Sequence, residues 1–159
     1  MVRNVAIDCA DAYALACFWS EVTGRPLDPD CAPGDRETAV PLAEGPMLYF
    51  NQVPEPETVK NRVHLCLRPA TTREAEVERL LGLGAGLVAD HRRPDGSGWV
   101  VLADPEGNEL CVLRGDAEPA RFSGRVVFRT DSGLLVFLLG CVVMEGVRVS
   151  KDTRHYSST

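Results

Sequence analysis

Apolar and polar side chains alternate through Asn4–Cys9, with Val5, Ile7 and Cys9 on one side and Asn4, Ala6 and Asp8 on the other. That period of two predicts a strand with one packed face and one mixed face. Asp11 can cap a helix, and Leu15, Phe18, Trp19 and Val22 recur at helical spacing over residues 12–23 before Gly24 ends the pattern. Residues 26–35 are rich in Pro, Asp and Gly and read as a loop. Two short segments, 38–42 and 47–53, then flank the turn-forming Ala43-Glu44-Gly45-Pro46 and predict a hairpin. Residues 54–60, with two prolines and mixed charge, cannot extend a central strand and read as a connector.

The same order then returns. Val63, Leu65 and Leu67 alternate with Arg62, His64 and Cys66, Thr72 is placed to cap a helix over 73–83, and Gly84 closes it. Segments 99–103 and 109–113 flank Asp104-Pro105-Glu106-Gly107-Asn108, which predicts a second hairpin. Laid together, the halves set Asn4 against Arg62, Ala6 against His64, Asp8 against Cys66 and Gly24 against Gly84. The pattern predicts an α+β fold of two β-α-β-β-β modules, residues 1–58 and 59–115, with one further strand per half drawn from the loops. Such modules bury their open sheet faces together as a curved mixed sheet around a cleft. Residues 116–159 form a C-terminal appendage.

Composition narrows the function. At 45% apolar and 25% charged residues the chain has the make-up of a packed globular protein. A net charge of -6 and a pI near 5.1, without a run of Lys and Arg, exclude nucleic acid as a partner. Cys9, Cys17, Cys31, Cys66, Cys111 and Cys141 form no C-x-x-C pair and no basic, then apolar, leader is visible, so free thiols in a reducing cytoplasm are expected. The apolar run 133–144 would reach about 18 Å as a helix, against about 30 Å of bilayer hydrocarbon, so a membrane span is not expected.

Asp11 through Phe18-Trp19 to Thr23-Gly24, and Gly98-Trp99 through Asp104-Pro105-Glu106-Gly107-Asn108, resemble the vicinal oxygen chelate superfamily, nearest its glyoxalase-like actinobacterial members. The resemblance covers about residues 1–115 and implies kinship with glyoxalases, extradiol dioxygenases, epimerases, fosfomycin thiol transferases and bleomycin-resistance proteins. Catalytic members bind a divalent metal through His, Gln or Glu; the corresponding places here hold Asn4, Asn51, Arg62 and Cys111. Amide oxygens are weak donors for transition metals and a guanidinium repels a cation, so the usual metal set is absent. Arg62 would instead grip a carboxylate or phosphate of a ligand.

Several residues carry candidate chemistry. His64, with Asp8 nearby, would serve as a general base in a cleft, beside the plainer reading of a hydrogen-bonded structural histidine. His64, Cys66 and Cys111 offer soft donors for an atypical metal site, although no cofactor is the leading expectation and two buried thiols are the simpler reading. Phe18 and Trp19 have core spacing and are read as packing. Tyr49 and Trp99 would offer aromatic surface to a planar ligand. The loop His91-Arg92-Arg93-Pro94-Asp95-Gly96 concentrates positive charge as a lid or as a solvated turn.

The leading functional expectation is a small organic ligand held between the modules by Asn4, Asp8, Tyr49, Asn51, Arg62, His64, Trp99 and Cys111, with turnover left open. A lyase or isomerase of the glyoxalase kind, using His64 or the atypical metal, is the second. The third is a non-catalytic oligomerisation module: the apolar run 134–139 would form a homodimer contact or a docked appendage.

Overall fold

The computed structural model describes residues 1–56 and 58–118 and the backbone of 126–130 and 133–137. Met1–Glu118 form one compact unit and Pro119–Thr159 a second. No helix among the described residues is long and apolar enough to cross a membrane.

The first module runs β1 (Asn4–Cys9), α1 (Ala12–Thr23), β2 (Glu37–Val40) and β3 (Met47–Gln52), with sheet order β1-β3-β2. Strand β1 lies parallel to β3 and β2 antiparallel to it, which puts Asp8 opposite Asn51 and Ala6 opposite Tyr49. The second module runs β4 (Leu65–Leu67), α2 (Arg73–Gly82), β5 (Gly86–Asp90), β6 (Val100–Ala103) and β7 (Glu109–Val112), in the order β4-β7-β6-β5. Cys66 stands opposite Cys111 in the parallel β4/β7 pair. Asp8 and Cys66 therefore hold equivalent places in their sheets, the register in which the sequence halves align.

Two features depart from the sequence expectation. The modules form two mixed sheets, of three and four strands, rather than one continuous ladder. And the further strand expected in each half is present only as β5: the stretch before β2 stays a loop. Pro26, Pro29 and Pro33 remove amide donors from that stretch, so it cannot complete a ladder.

Local chemistry sets the helices. Asp11 caps α1, its Oδ1 accepting from Ala14 N at 3.0 Å, and Gly24 takes the left-handed conformation, φ 64°, that ends it. Thr72 caps α2 by accepting from Ala75 N at 3.2 Å. Leu15, Phe18, Trp19 and Val22 of α1 share one core with Val40, Leu48 and Phe50 of the first sheet and Leu80, Leu102, Leu110 and Val112 of the second module. Full burial of such a side chain contributes about 1.5–3 kcal/mol, so this shared layer is the main tie between modules. Polar contacts add to it. The Glu106 carboxylate accepts from Ala10 N and Asp11 N at 2.5 and 2.9 Å, and the Arg79 guanidinium donates to the carbonyls of Glu21 and Val22 at 2.9 Å each, at the last turn of α1.

In the second unit, β8 (Val126–Thr130) pairs antiparallel with β9 (Gly133–Phe137), so strands, not a helix, occupy this part of the appendage. The expected apolar dimer contact at 134–139 depends on side chains outside the described residues, as does Cys141.

Candidate functional site

Strands β1 and β4 are edge strands of their sheets, and between them opens a cleft of about 560 Å³. Its apolar base is formed by Val5, Ile7, Trp19 and Leu65, and its polar wall by Asp8, Glu55, His64, Asn108 and Glu109. A recess of about 260 Å³ shares Asp8, Val53, Glu55 and Asn108 with it and extends toward Cys9. Three carboxylates and one imidazole make the wall acidic.

Alternation positions these groups. In β1 the residues Val5, Ile7 and Cys9 turn toward α1, leaving Ala6 and Asp8 exposed on the opposite face. Asp8 Oδ1 accepts from the Asn51 amide at 3.4 Å, which joins Asn51 to the cleft through its neighbour. Lys60 forms an ion pair with Glu109. Cys9 is buried, and burial together with the carboxylates of Glu106, Asp8, Asp11 and Asp104 pushes its thiol up to about 11, so it remains protonated.

Of the residues proposed from sequence, Asp8 and His64 line the cleft. Asn4, Tyr49, Arg62 and Trp99 do not form its walls. Tyr49 sits on β3, one strand in from the opening, and its hydroxyl donates to Glu37 Oε2 at 2.8 Å. Trp99 lies against His91 with ring centroids 5.1 Å apart and is 39% exposed. Arg62 precedes β4 on an exposed segment, and Asn4 is exposed at the start of β1. The cleft wall itself carries carboxylates rather than the Arg62 guanidinium. Arg92, in the loop read as an anion-attracting lid, is engaged with Asp90 at 2.5 Å and Glu74 at 3.4 Å, which favours the solvated-turn reading for that residue.

Trp19, Glu55, Asn108 and Glu109 were not singled out as cleft residues by the sequence pattern. Glu109 had a legible signal, since it precedes Cys111 by two on the same strand. Trp19 had none: it is 2% exposed and packs in the core while also reaching the cleft base.

His64, Cys66 and Cys111 come together. One donor atom from each lies within 4.8 Å of the others, a grouping made by the alternation of β4 and the register of β4 on β7. Burial and the adjacent Cys66 thiol push the Cys111 thiol above its usual range, against the pull of Lys60. The places corresponding to the usual metal ligands hold Asn4, Asn51, Arg62 and Cys111, and Asn51 is already bonded to Asp8. Two amides, a guanidinium and a thiol do not fit a hard, oxygen-seeking divalent ion.

The sequence model of a glyoxalase-like domain matches residues 4–113. The chain belongs to the glyoxalase-like domain family. Its fold is similar to that of solved proteins of the glyoxalase, bleomycin-resistance and dioxygenase kind. A family enzyme from Burkholderia phytofirmans is 20% identical, covering 69% of this chain and 94% of its own, with a TM-score of 0.53. A glyoxalase-related enzyme from Fulvimarina pelagi is 19% identical over 86% of this chain and 96% of its own, with a TM-score of 0.55. A fosfomycin resistance protein from Listeria monocytogenes, solved with Mn(II), is 14% identical over 72% and 90%, with a TM-score of 0.56. At these identities the glyoxalase-like chain shares the fold with them. No curated protein matches the sequence.

Proposed function

We propose that the protein binds a small organic molecule in the cleft between β1 and β4, and that the ligand carries hydrogen-bond donors or a positive charge beside an apolar body. The observation behind this reading is the cleft itself: about 560 Å³, within the roughly 300–1,000 Å³ usual for small-molecule sites, with Asp8, Glu55 and Glu109 over an apolar base that includes Trp19. Carboxylates accept from ammonium, amide and hydroxyl groups and repel anions. The thiols free in the described unit, Cys9, Cys17, Cys31, Cys66 and Cys111, fit work in a reducing cytoplasm.

The test is thermal and chemical denaturation of the full chain against a panel of small cationic, neutral and anionic organic molecules. A ligand at a hundred times its dissociation constant should add about 2.7 kcal/mol of stability. The stabilisation should come from cationic or donor-rich members and weaken in Asp8→Asn. Stabilisation by anions alone, or an effect untouched in both Asp8→Asn and Glu109→Gln, would refute the reading.

His64 on the same wall supports a second reading, a lyase or isomerase of the glyoxalase kind in which the imidazole moves a substrate proton. Turnover of any bound ligand that survives unchanged in His64→Gln would remove it.

A further inference from the structure

We propose that His64, Cys66 and Cys111 form a three-donor site for a thiophilic metal ion of the zinc type, set on the second module's sheet beside the cleft. The site goes beyond the ligand-binding reading and does not depend on it.

The fold builds the triangle. Cys66 and Cys111 are in direct register on neighbouring parallel strands, so their side chains leave the same face of the sheet. His64 lies two residues before Cys66, just ahead of β4, and its ring reaches the two sulfurs. All three donor atoms fall within 4.8 Å of one another. Zinc–sulfur and zinc–nitrogen bonds of about 2.3 and 2.0 Å at tetrahedral angles put ligand atoms roughly 3.5–3.8 Å apart. Small side-chain rotations close that difference, and His64 and Cys66 are exposed and free to make them.

Donor chemistry selects the ion. Two sulfurs and an imidazole favour zinc over magnesium, calcium or manganese, which seek oxygen. A bound ion holds such facing sulfurs as thiolates. Cys111 is 6% exposed and forms the inner wall, while His64 and Cys66 face outward. Three protein donors leave one tetrahedral position for water or a ligand atom, the arrangement of reactive rather than structural zinc. His64 also lines the cleft, so a metal held there would stand beside whatever the cleft binds.

The experiment uses the untagged, reduced full chain and metal alone. Zinc is titrated in competition with a chromophoric chelator, and cobalt(II) is substituted to read sulfur-to-cobalt charge-transfer absorption and tetrahedral d–d bands. The expected result is one ion per chain with thiolate charge transfer. Affinity should fall by more than about 100-fold in Cys66→Ser and in His64→Ala, since each removes a direct ligand. Both positions are exposed, and an unchanged circular dichroism spectrum separates loss of ligand from loss of fold. Cys31→Ser and Cys141→Ser should bind as the parent does. Absence of stoichiometric zinc, lack of thiolate absorption, or affinity unchanged in Cys66→Ser would overturn the proposal, as would an equal loss in Cys31→Ser or Cys141→Ser.

Discussion

The indole of Trp19 donates from Nε1 to Asp104 Oδ2 at 3.1 Å, linking the first module's helix to the second module's hairpin turn inside the core. Asp104 is 4% exposed, and its carboxylate also accepts from Glu106 N at 3.0 Å, Asn108 N at 2.9 Å and the Asn108 amide at 3.0 Å. One buried side chain thus shapes the turn and holds the modules together. Asp104→Ala should cost about 3 kcal/mol, because the buried Trp19 indole and three part-buried donors lose their acceptor at once. Trp19→Phe removes one donor and part of the ring, and should cost less, about 1–2 kcal/mol. Urea unfolding checks both: the midpoint should fall at constant slope.

Glu118 should contribute to acid sensitivity. Burial raises its carboxyl, but the amides of Gly115 and Arg73 and the guanidiniums of Arg73 and Arg114 more than offset that, so it sits below its ordinary value. A carboxylate depressed in the folded state contributes stability above its unfolded pKa that is lost as pH falls through the folded one. Stability measured from about pH 5 to about pH 3 should therefore fall more steeply for the parent than for Glu118→Gln. Equal slopes would show that Glu118 does not carry the effect.

Gly98 should tolerate no side chain. Its φ is +91°, and a Cβ there would lie 2.0 Å from the His91 carbonyl oxygen. Gly98 O also accepts from Arg73 Nη1 at 2.7 Å, so the backbone cannot move away without breaking that bond. Gly98→Ala should destabilise by about 2–3 kcal/mol, read as a lower melting temperature.

Thiol reactivity should follow position. Cys66 is exposed, whereas the Cys9 thiol is buried and titrates at about 11. Alkylation near neutral pH, followed by peptide mass spectrometry, should label Cys66 well before Cys9. Added zinc should slow labelling of Cys66 and leave Cys17 and Cys31 unaffected; if zinc leaves Cys66 as reactive as before, the proposed metal site loses its support.

The elements were legible because their signals are local. The 3.6-residue spacing of Leu15, Phe18, Trp19 and Val22, the caps at Asp11 and Thr72, and the Asp104-to-Asn108 turn each depend on residues a few positions apart, and each stands where the sequence puts it. The alternation of β1 likewise identified the face that carries Asp8. It did not tell which strand of that face borders an opening: Tyr49 shares the face with Asp8, yet β1 lies between it and the cleft. Pairing order and sheet edges are set by long-range packing, which no local period encodes. The same holds for the thiols. The sequence groups His64, Cys66 and Cys111 as soft donors on alternating strand positions, but their spacing within 4.8 Å follows from the register of β4 on β7, because contact between distant segments is decided when the core closes.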